Sequence, residues 1–223
     1  AEWAASQSGR RKQEYGPRVN FKSRAVRMQA AGAELPAWTG PLVRKVEARI
    51  NTWGHTQPHE AHPVASEPSG REAEEDAVAG DACQLSSARQ LSFLGAACGG
   101  ELPFEAVEAG VIEYEAGRGA SLDPHIDDSW VWGDRVVTTS LLAPCVMTFR
   151  QRQVEIRVEL PPRSVMVFAG EARYRWQHGI RARDVSARRI SVTLRELGRD
   201  FMPDGARAEE GRAIRDLARS ALP

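Results

Sequence analysis

The chain has 223 residues, 42% of them hydrophobic and 27% charged, which is enough to enclose one sizeable core but offers no stretch apolar enough to span a membrane. Its 30 basic and 30 acidic residues cancel, so no overall field draws it towards nucleic acid. The three cysteines, Cys83, Cys98 and Cys145, are odd in number and lack C-x-x-C spacing, a usage that fits reduced thiols in an intracellular protein of the cytoplasm or nucleus.

In chain order, residues 1–20 hold no apolar run that reads as a signal peptide. Between residues 10 and 27, Arg10, Arg11, Lys12, Arg18, Lys22, Arg24 and Arg27 face Glu14 as their single acid, which reads either as a substrate-facing lip or as a solvated basic turn. Leu42, Val43, Val46 and Ile50 recur at helical spacing and predict an amphipathic helix over 41–50. Periodicity then disappears over about 54–80, a stretch rich in Pro, Ser, Gly, Glu and Ala that predicts a disordered insertion. His55, His59 and His62 within it have the setting for adventitious metal rather than a preorganised site. A short helix is expected over 86–98. Six β-rich runs follow, at 111–115, 135–142, 146–150, 154–160, 164–169 and 190–197, separated by Gly or Pro signals, and 206–222 reads as a helix.

Two of these regions carry chemistry. His125 and Asp127 are two apart, so on one short strand end they share a face and can grip one metal, with Ile126 turned into the apolar layer. His178 supplies a third ligand from a distant segment, completing the two-histidine, one-carboxylate set that holds Fe(II) and leaves positions open for a co-substrate and dioxygen. Further on, Arg189, Ser191, Thr193 and Arg195 alternate with Ile190, Val192 and Leu194, which gives a strand one cationic face. A buried cavity with an anionic ligand accounts for that face, since guanidinium forks match carboxylates; the alternative is surface ion pairs with Glu196 or Asp184.

Four runs in order then carry a resemblance: SQSGRRKQEYGP at 6–17, DPHIDDSWVWG at 123–133, WQH at 176–178 and ARRISVTLREL at 187–197. The chain resembles the AlkB-type Fe(II)/2-oxoglutarate dioxygenases, most of all the branch of the fourth mammalian homologue. That resemblance implies a mainly β fold with flanking helices, a double-stranded β-helix or jelly roll. It implies a single domain over 1–203 that lacks an upstream portion, followed by a helical extension over 204–223. His125, Asp127 and His178 become the iron ligands, and Arg189, Arg195 and Tyr114 the 2-oxoglutarate partners. Tyr114 is otherwise a candidate core residue. Two positions depart from the family: Ile112 and Ser191 stand where relatives often carry asparagine. Arg10, Arg11, Lys12 and Tyr15 fall in the substrate-lid region, while Asp128 either contacts substrate, orients a ligand histidine or is solvated; Trp130 and Trp132 read as core filling. The implied reaction is oxidative N-demethylation with Fe(II), 2-oxoglutarate and dioxygen. The expected substrate is methylated lysine in a protein such as actin. Demethylation of N6-methyladenine in DNA and a non-catalytic binding scaffold are the alternatives, and no membrane partner is expected.

Overall fold

The fold was obtained as a computed structural model, which describes residues 3–5, 8–27, 33–53 and 102–223. The expected insertion at 54–80, the helix at 86–98, the histidines His55, His59 and His62, and Cys83 and Cys98 lie outside the described residues.

Among the described residues, twelve strands and three α-helices follow one another: β1 (Ala4–Ala5), β2 (Arg11–Tyr15), β3 (Arg18–Asn20), β4 (Ala25–Arg27), α1 (Gly40–Trp53), β5 (Glu108–Tyr114), β6 (Leu122–His125), β7 (Trp132–Leu141), β8 (Cys145–Gln151), β9 (Val154–Leu160), β10 (Ser164–Phe168), α2 (Gly170–Tyr174), β11 (Gln177–Ile180), β12 (Arg189–Leu197) and α3 (Ala208–Arg219). They form a six-stranded sheet in the order β1-β2-β5-β12-β7-β10 and a four-stranded sheet in the order β6-β11-β8-β9, with β3-β4 as a separate hairpin. Sequence-distant strands lie side by side in both sheets, the jelly-roll arrangement.

The large sheet separates two environments because its side chains alternate. One face carries Ala109, Val111, Val137, Val192 and Leu194 into a core closed by Val43, Val46 and Ile50 of α1. The other face lines a cavity between the two sheets, whose apolar filling includes Met147, Phe149, Phe168 and Ile180. A third cluster joins Val131, Trp132, Leu197 and Phe201 to Ile214 and Ala218 of α3. Among the described residues no helix is long and apolar enough to cross a membrane.

All six predicted β-rich runs and both helices that fall on described residues are present, with ends displaced by at most three residues in either direction. The basic run is not a turn throughout. It forms β2 and the β3–β4 hairpin, because the backbone of residues 11–15 pairs with that of residues 109–113 on β5, a partner that its side-chain pattern does not announce.

Candidate functional site

β6 and β11 bring the histidines together. His178 pairs directly with His125 across these antiparallel strands, so both imidazoles stand on one face with ring centroids 4.4 Å apart. β6 ends at His125, and Asp127 lies beyond it. The strand alternation therefore does not reach Ile126, which is 41% exposed instead of turning inward. Asp127 is still carried to the histidines: Oδ1 lies 3.9 Å from His125 Nε2 and Oδ2 lies 3.7 Å from His178 Nε2. One ligand atom from each of the three residues lies within 4.8 Å of the others.

The protonation states suit a cation. His125 Nδ1 donates to the Asp123 carbonyl at 2.9 Å, which leaves the Nε2 lone pair facing Asp127. Burial holds His178 down at about 4, beyond what the nearby Asp127 carboxylate restores, so its imidazole is neutral near pH 7. Burial opposes ionisation of Asp127, but the Arg195 guanidinium, followed by the two histidines, outweighs it and holds the carboxyl at about 2. Asp127 Oδ2 is buried and has no hydrogen-bond partner among the described residues. An anionic oxygen left bare between two imidazoles fits a metal ion as its missing partner.

Asp127 is fixed from two sides. Its Oδ1 accepts from Arg195 Nη2 at 2.9 Å, while Arg195 Nη1 donates to buried Glu108 at 2.7 Å. Behind the metal loop sits Arg173 of α2, 1% exposed, whose guanidinium donates to the carbonyls of Asp127 at 2.8 Å, Asp128 at 2.6 Å and Gly133 at 3.3 Å. Neither Glu108 nor Arg173 was foreseen from sequence. Both lie outside the metal and arginine-strand patterns, and nothing local marks a residue that binds backbone carbonyls 40 or more positions away.

The cavity beside the triad measures about 370 Å³. Arg189, Ser191, Thr193 and Arg195 all line it, as their alternation requires. Arg189 is 1% exposed; its Nε donates to Ser140 Oγ at 2.9 Å, and both terminal nitrogens are buried without partners among the described residues. Its guanidinium carbon lies 5.1 Å from the ring centre of Tyr114, itself fully buried and opposite Arg189 in register. The surface-pair alternative does not hold, because Glu196 is engaged by Arg135 and Asp184 by Arg157. Ile112 adds an apolar wall to the same cavity.

The remaining candidates divide by the pleat of β2. Arg10 and Lys12 line the cavity together with Glu14. Arg11 and Tyr15 are not among its lining residues: Arg11 reaches towards Glu113 at 3.8 Å, and Tyr15 packs edge-on to Trp38 on the helix side of the sheet. Asp128 is also absent from the lining, and its Oδ1 accepts the Trp130 backbone N–H at 3.0 Å, a turn-forming bond. Trp132 is buried in the third core cluster, with Trp130 packed against it.

Comparison with known proteins agrees with this geometry. The profile of the 2OG-Fe(II) oxygenase superfamily matches residues 19–195. The human alpha-ketoglutarate-dependent dioxygenase alkB homolog 4 is 28% identical over 98% of this chain and 66% of its own length. A DNA N6-methyl adenine demethylase of Caenorhabditis elegans is 31% identical over 92% of this chain and 54% of its own. The chain thus spans just under two thirds of the first of these relatives and about half of the second. The solved structure of OsALKBH1 superposes with a TM-score of 0.50 at 16% identity, covering 84% of this chain and 78% of that one, which supports the jelly-roll fold. The chain belongs to the 2OG-Fe(II) oxygenase superfamily, in its AlkB-like branch, and the reaction of that family runs on Fe(II), 2-oxoglutarate and dioxygen.

Proposed function

We propose that the chain is an Fe(II)/2-oxoglutarate-dependent N-demethylase whose substrate is methylated lysine in a protein, actin being the candidate that the family resemblance brings. The observation that carries the catalytic part is the buried Asp127 Oδ2 between His125 and His178, with the two terminal nitrogens of Arg189 in the same cavity, all without hydrogen-bond partners among the described residues. His125, Asp127 and His178 would hold the iron. Arg189 would take the remote carboxylate of 2-oxoglutarate as a bidentate partner. Tyr114 stacks against that guanidinium, and Arg195 keeps Asp127 ionised and aimed. Once bound, iron and co-substrate supply the oxidation of an N-methyl group by dioxygen, with succinate, carbon dioxide and formaldehyde as products. Phe168, Met147 and Ile180 exclude water from that chemistry.

The preference for an amine over a base comes from the cavity wall. Among the described residues its aromatic lining, apart from the imidazoles of His125 and His178, is Tyr114 and Phe168, 1% and 2% exposed, so no phenyl, phenol or indole ring projects where an extruded base would be stacked. Asp123 instead places a carboxylate on the lining, suited to a cationic methylammonium, while Glu14 on the same wall is paired with Lys12 and Arg18. A second reading, N6-methyladenine in DNA, is favoured by the nematode relative and by Arg10 and Lys12 on the same wall.

The test supplies Fe(II), ascorbate and 2-oxoglutarate and measures succinate and formaldehyde with a monomethyl-lysine actin peptide or an N6-methyladenine oligonucleotide. Product with the peptide and none with His178→Ala is expected. Product with the oligonucleotide alone would transfer the proposal to DNA, and a wild-type chain that takes up no iron would leave a binding scaffold.

A further inference from the structure

Arg10 stands in the cavity as a second cation that the proposed roles leave unused. The segment before β2 is fastened to the turn after β5: the Ser8 carbonyl accepts Ser121 N–H at 3.0 Å, and the Gly9 carbonyl accepts Arg118 Nε at 3.1 Å. The approach is close enough that a Cβ on Gly9, whose φ is +69°, would lie 2.3 Å from the Arg118 carbonyl oxygen. The strap is therefore built to a fixed distance. On it, Arg10 Nε donates to Ser8 Oγ at 2.8 Å, which leaves the terminal nitrogens directed elsewhere, and Arg10 lines the cavity together with Tyr114.

The charge arrangement indicates what is missing. Other inward arginines are satisfied: Arg195 has Glu108 and Asp127, Arg135 has Glu196, Arg118 has Glu113, and Arg173 has backbone carbonyls. Arg10 and Arg189 pair with no carboxylate among the described residues, yet both line the same cavity as Tyr114, whose ring lies under the Arg189 guanidinium. Two guanidiniums facing one space repel unless an anion lies between them, and an oxygen pair bound there could accept from both forks and from the phenol. The triad occupies the other end of β12, where Arg195 meets Asp127.

We propose that Arg10 is a co-substrate-binding residue, which grips the remote carboxylate of 2-oxoglutarate together with Arg189 and the Tyr114 hydroxyl. This rests on the reading of the cavity as the 2-oxoglutarate site, and the experiment separates the two. The 223-residue chain, loaded with redox-inert Mn(II), is titrated by calorimetry with 2-oxoglutarate and with 2-oxobutyrate, which keeps the 2-oxo acid head and lacks the remote carboxylate. Arg10→Ala and Arg10→Gln should each weaken 2-oxoglutarate about tenfold to a hundredfold, the range of a charged hydrogen bond, and leave 2-oxobutyrate and Mn(II) within about twofold. Arg10→Lys should recover part of the loss. Equal weakening of both acids would make Arg10 a structural residue, and wild-type affinity for 2-oxoglutarate in both neutral variants would overturn the proposal. A wild-type chain that holds Mn(II) but binds neither acid would remove the parent reading as well.

Discussion

Arg189 is a charge placed where folding alone would not put it. Its Nε has Ser140 and its two terminal nitrogens have nothing among the described residues, so the metal-free, ligand-free fold carries an uncompensated desolvation cost. Arg189→Met should therefore leave the thermal stability of the ligand-free chain unchanged or raised, while weakening 2-oxoglutarate by about 2–5 kcal/mol, the cost of truncating one partner of a buried charge pair. A melting curve and a calorimetric titration decide it, and a destabilised variant with intact binding would count against the assignment. His178 makes a related prediction about pH. Burial lowers its folded-state value from 6.5 to about 4, so on acidification the unfolded chain takes up this proton first. The stability associated with neutral His178 is complete above about pH 6.5 and is lost as pH falls towards 4, by roughly 3 kcal/mol in the metal-free protein. Urea midpoints at pH 7 and pH 4.5 should show that loss, and His178→Gln should flatten it; an unchanged slope in the variant would place the titration elsewhere. Both roles could be anticipated from residue type and spacing, since alternation fixes which side of β12 is cationic. The unpaired state of Arg189 could not, because it depends on which carboxylates Arg135 and Arg157 capture first.

The two ligand-bearing segments are coupled at the level of elements. The loop after β6 carries Asp127, the β10–α2–β11 segment carries His178, and Arg173 of α2 binds the first from within the second through the carbonyls of Asp127, Asp128 and Gly133. Replacing Arg173 by Met would strand those carbonyls in a dry interior, at about 1–3 kcal/mol for each one left unpaired. The expected result is a loss of roughly 3 kcal/mol in unfolding free energy together with a tenfold or greater loss of Mn(II) affinity, the size typical of residues that orient ligands from behind. If metal affinity stayed at the wild-type value in a destabilised variant, Arg173 would be serving the fold alone. Legibility differed between the elements for physical reasons. β7, β8, β9, β10 and β12 declare themselves because β-branched and apolar residues bury against a neighbouring layer. β2 is Arg-Lys-Gln-Glu-Tyr, which has no apolar alternation, and it becomes a strand because β5 offers it unpaired backbone. That pairing also decided which residues of the basic run meet the cavity: the pleat sends Lys12 and Glu14 inward and turns Arg11 and Tyr15 away.

At the scale of the molecule, the C-terminal helix is joined to the barrel more closely than an appended extension requires. The superfamily profile ends at residue 195, yet Ile214 and Ala218 of α3 are fully buried with Val131, Trp132, Leu197 and Phe201, close in sequence to the Asp127 loop and the end of β12. Arg219 donates to both oxygens of Glu47 on α1, at 2.6 Å and 3.2 Å, and Leu35 N–H donates to the Ala218 carbonyl at 2.6 Å, so α3 clasps α1 as well. The contact is tightest at Gly211, where an added Cβ would lie 1.9 Å from the Phe201 carbonyl oxygen. In an exposed helix interior, Gly→Ala gains roughly 1 kcal/mol from helix propensity. Here the sign should reverse, since a backbone oxygen cannot yield as a side chain can. Gly211→Ala is expected to destabilise the whole domain by roughly 1–3 kcal/mol, comparable to overpacking a core, and Ile214→Ala by about 2–5 kcal/mol. If α3 is integral to the barrel, both variants should lower the midpoint of a single cooperative urea transition. If it is an appended extension, a probe on α3 should melt separately while the transition reported by the tryptophans of the barrel stays in place.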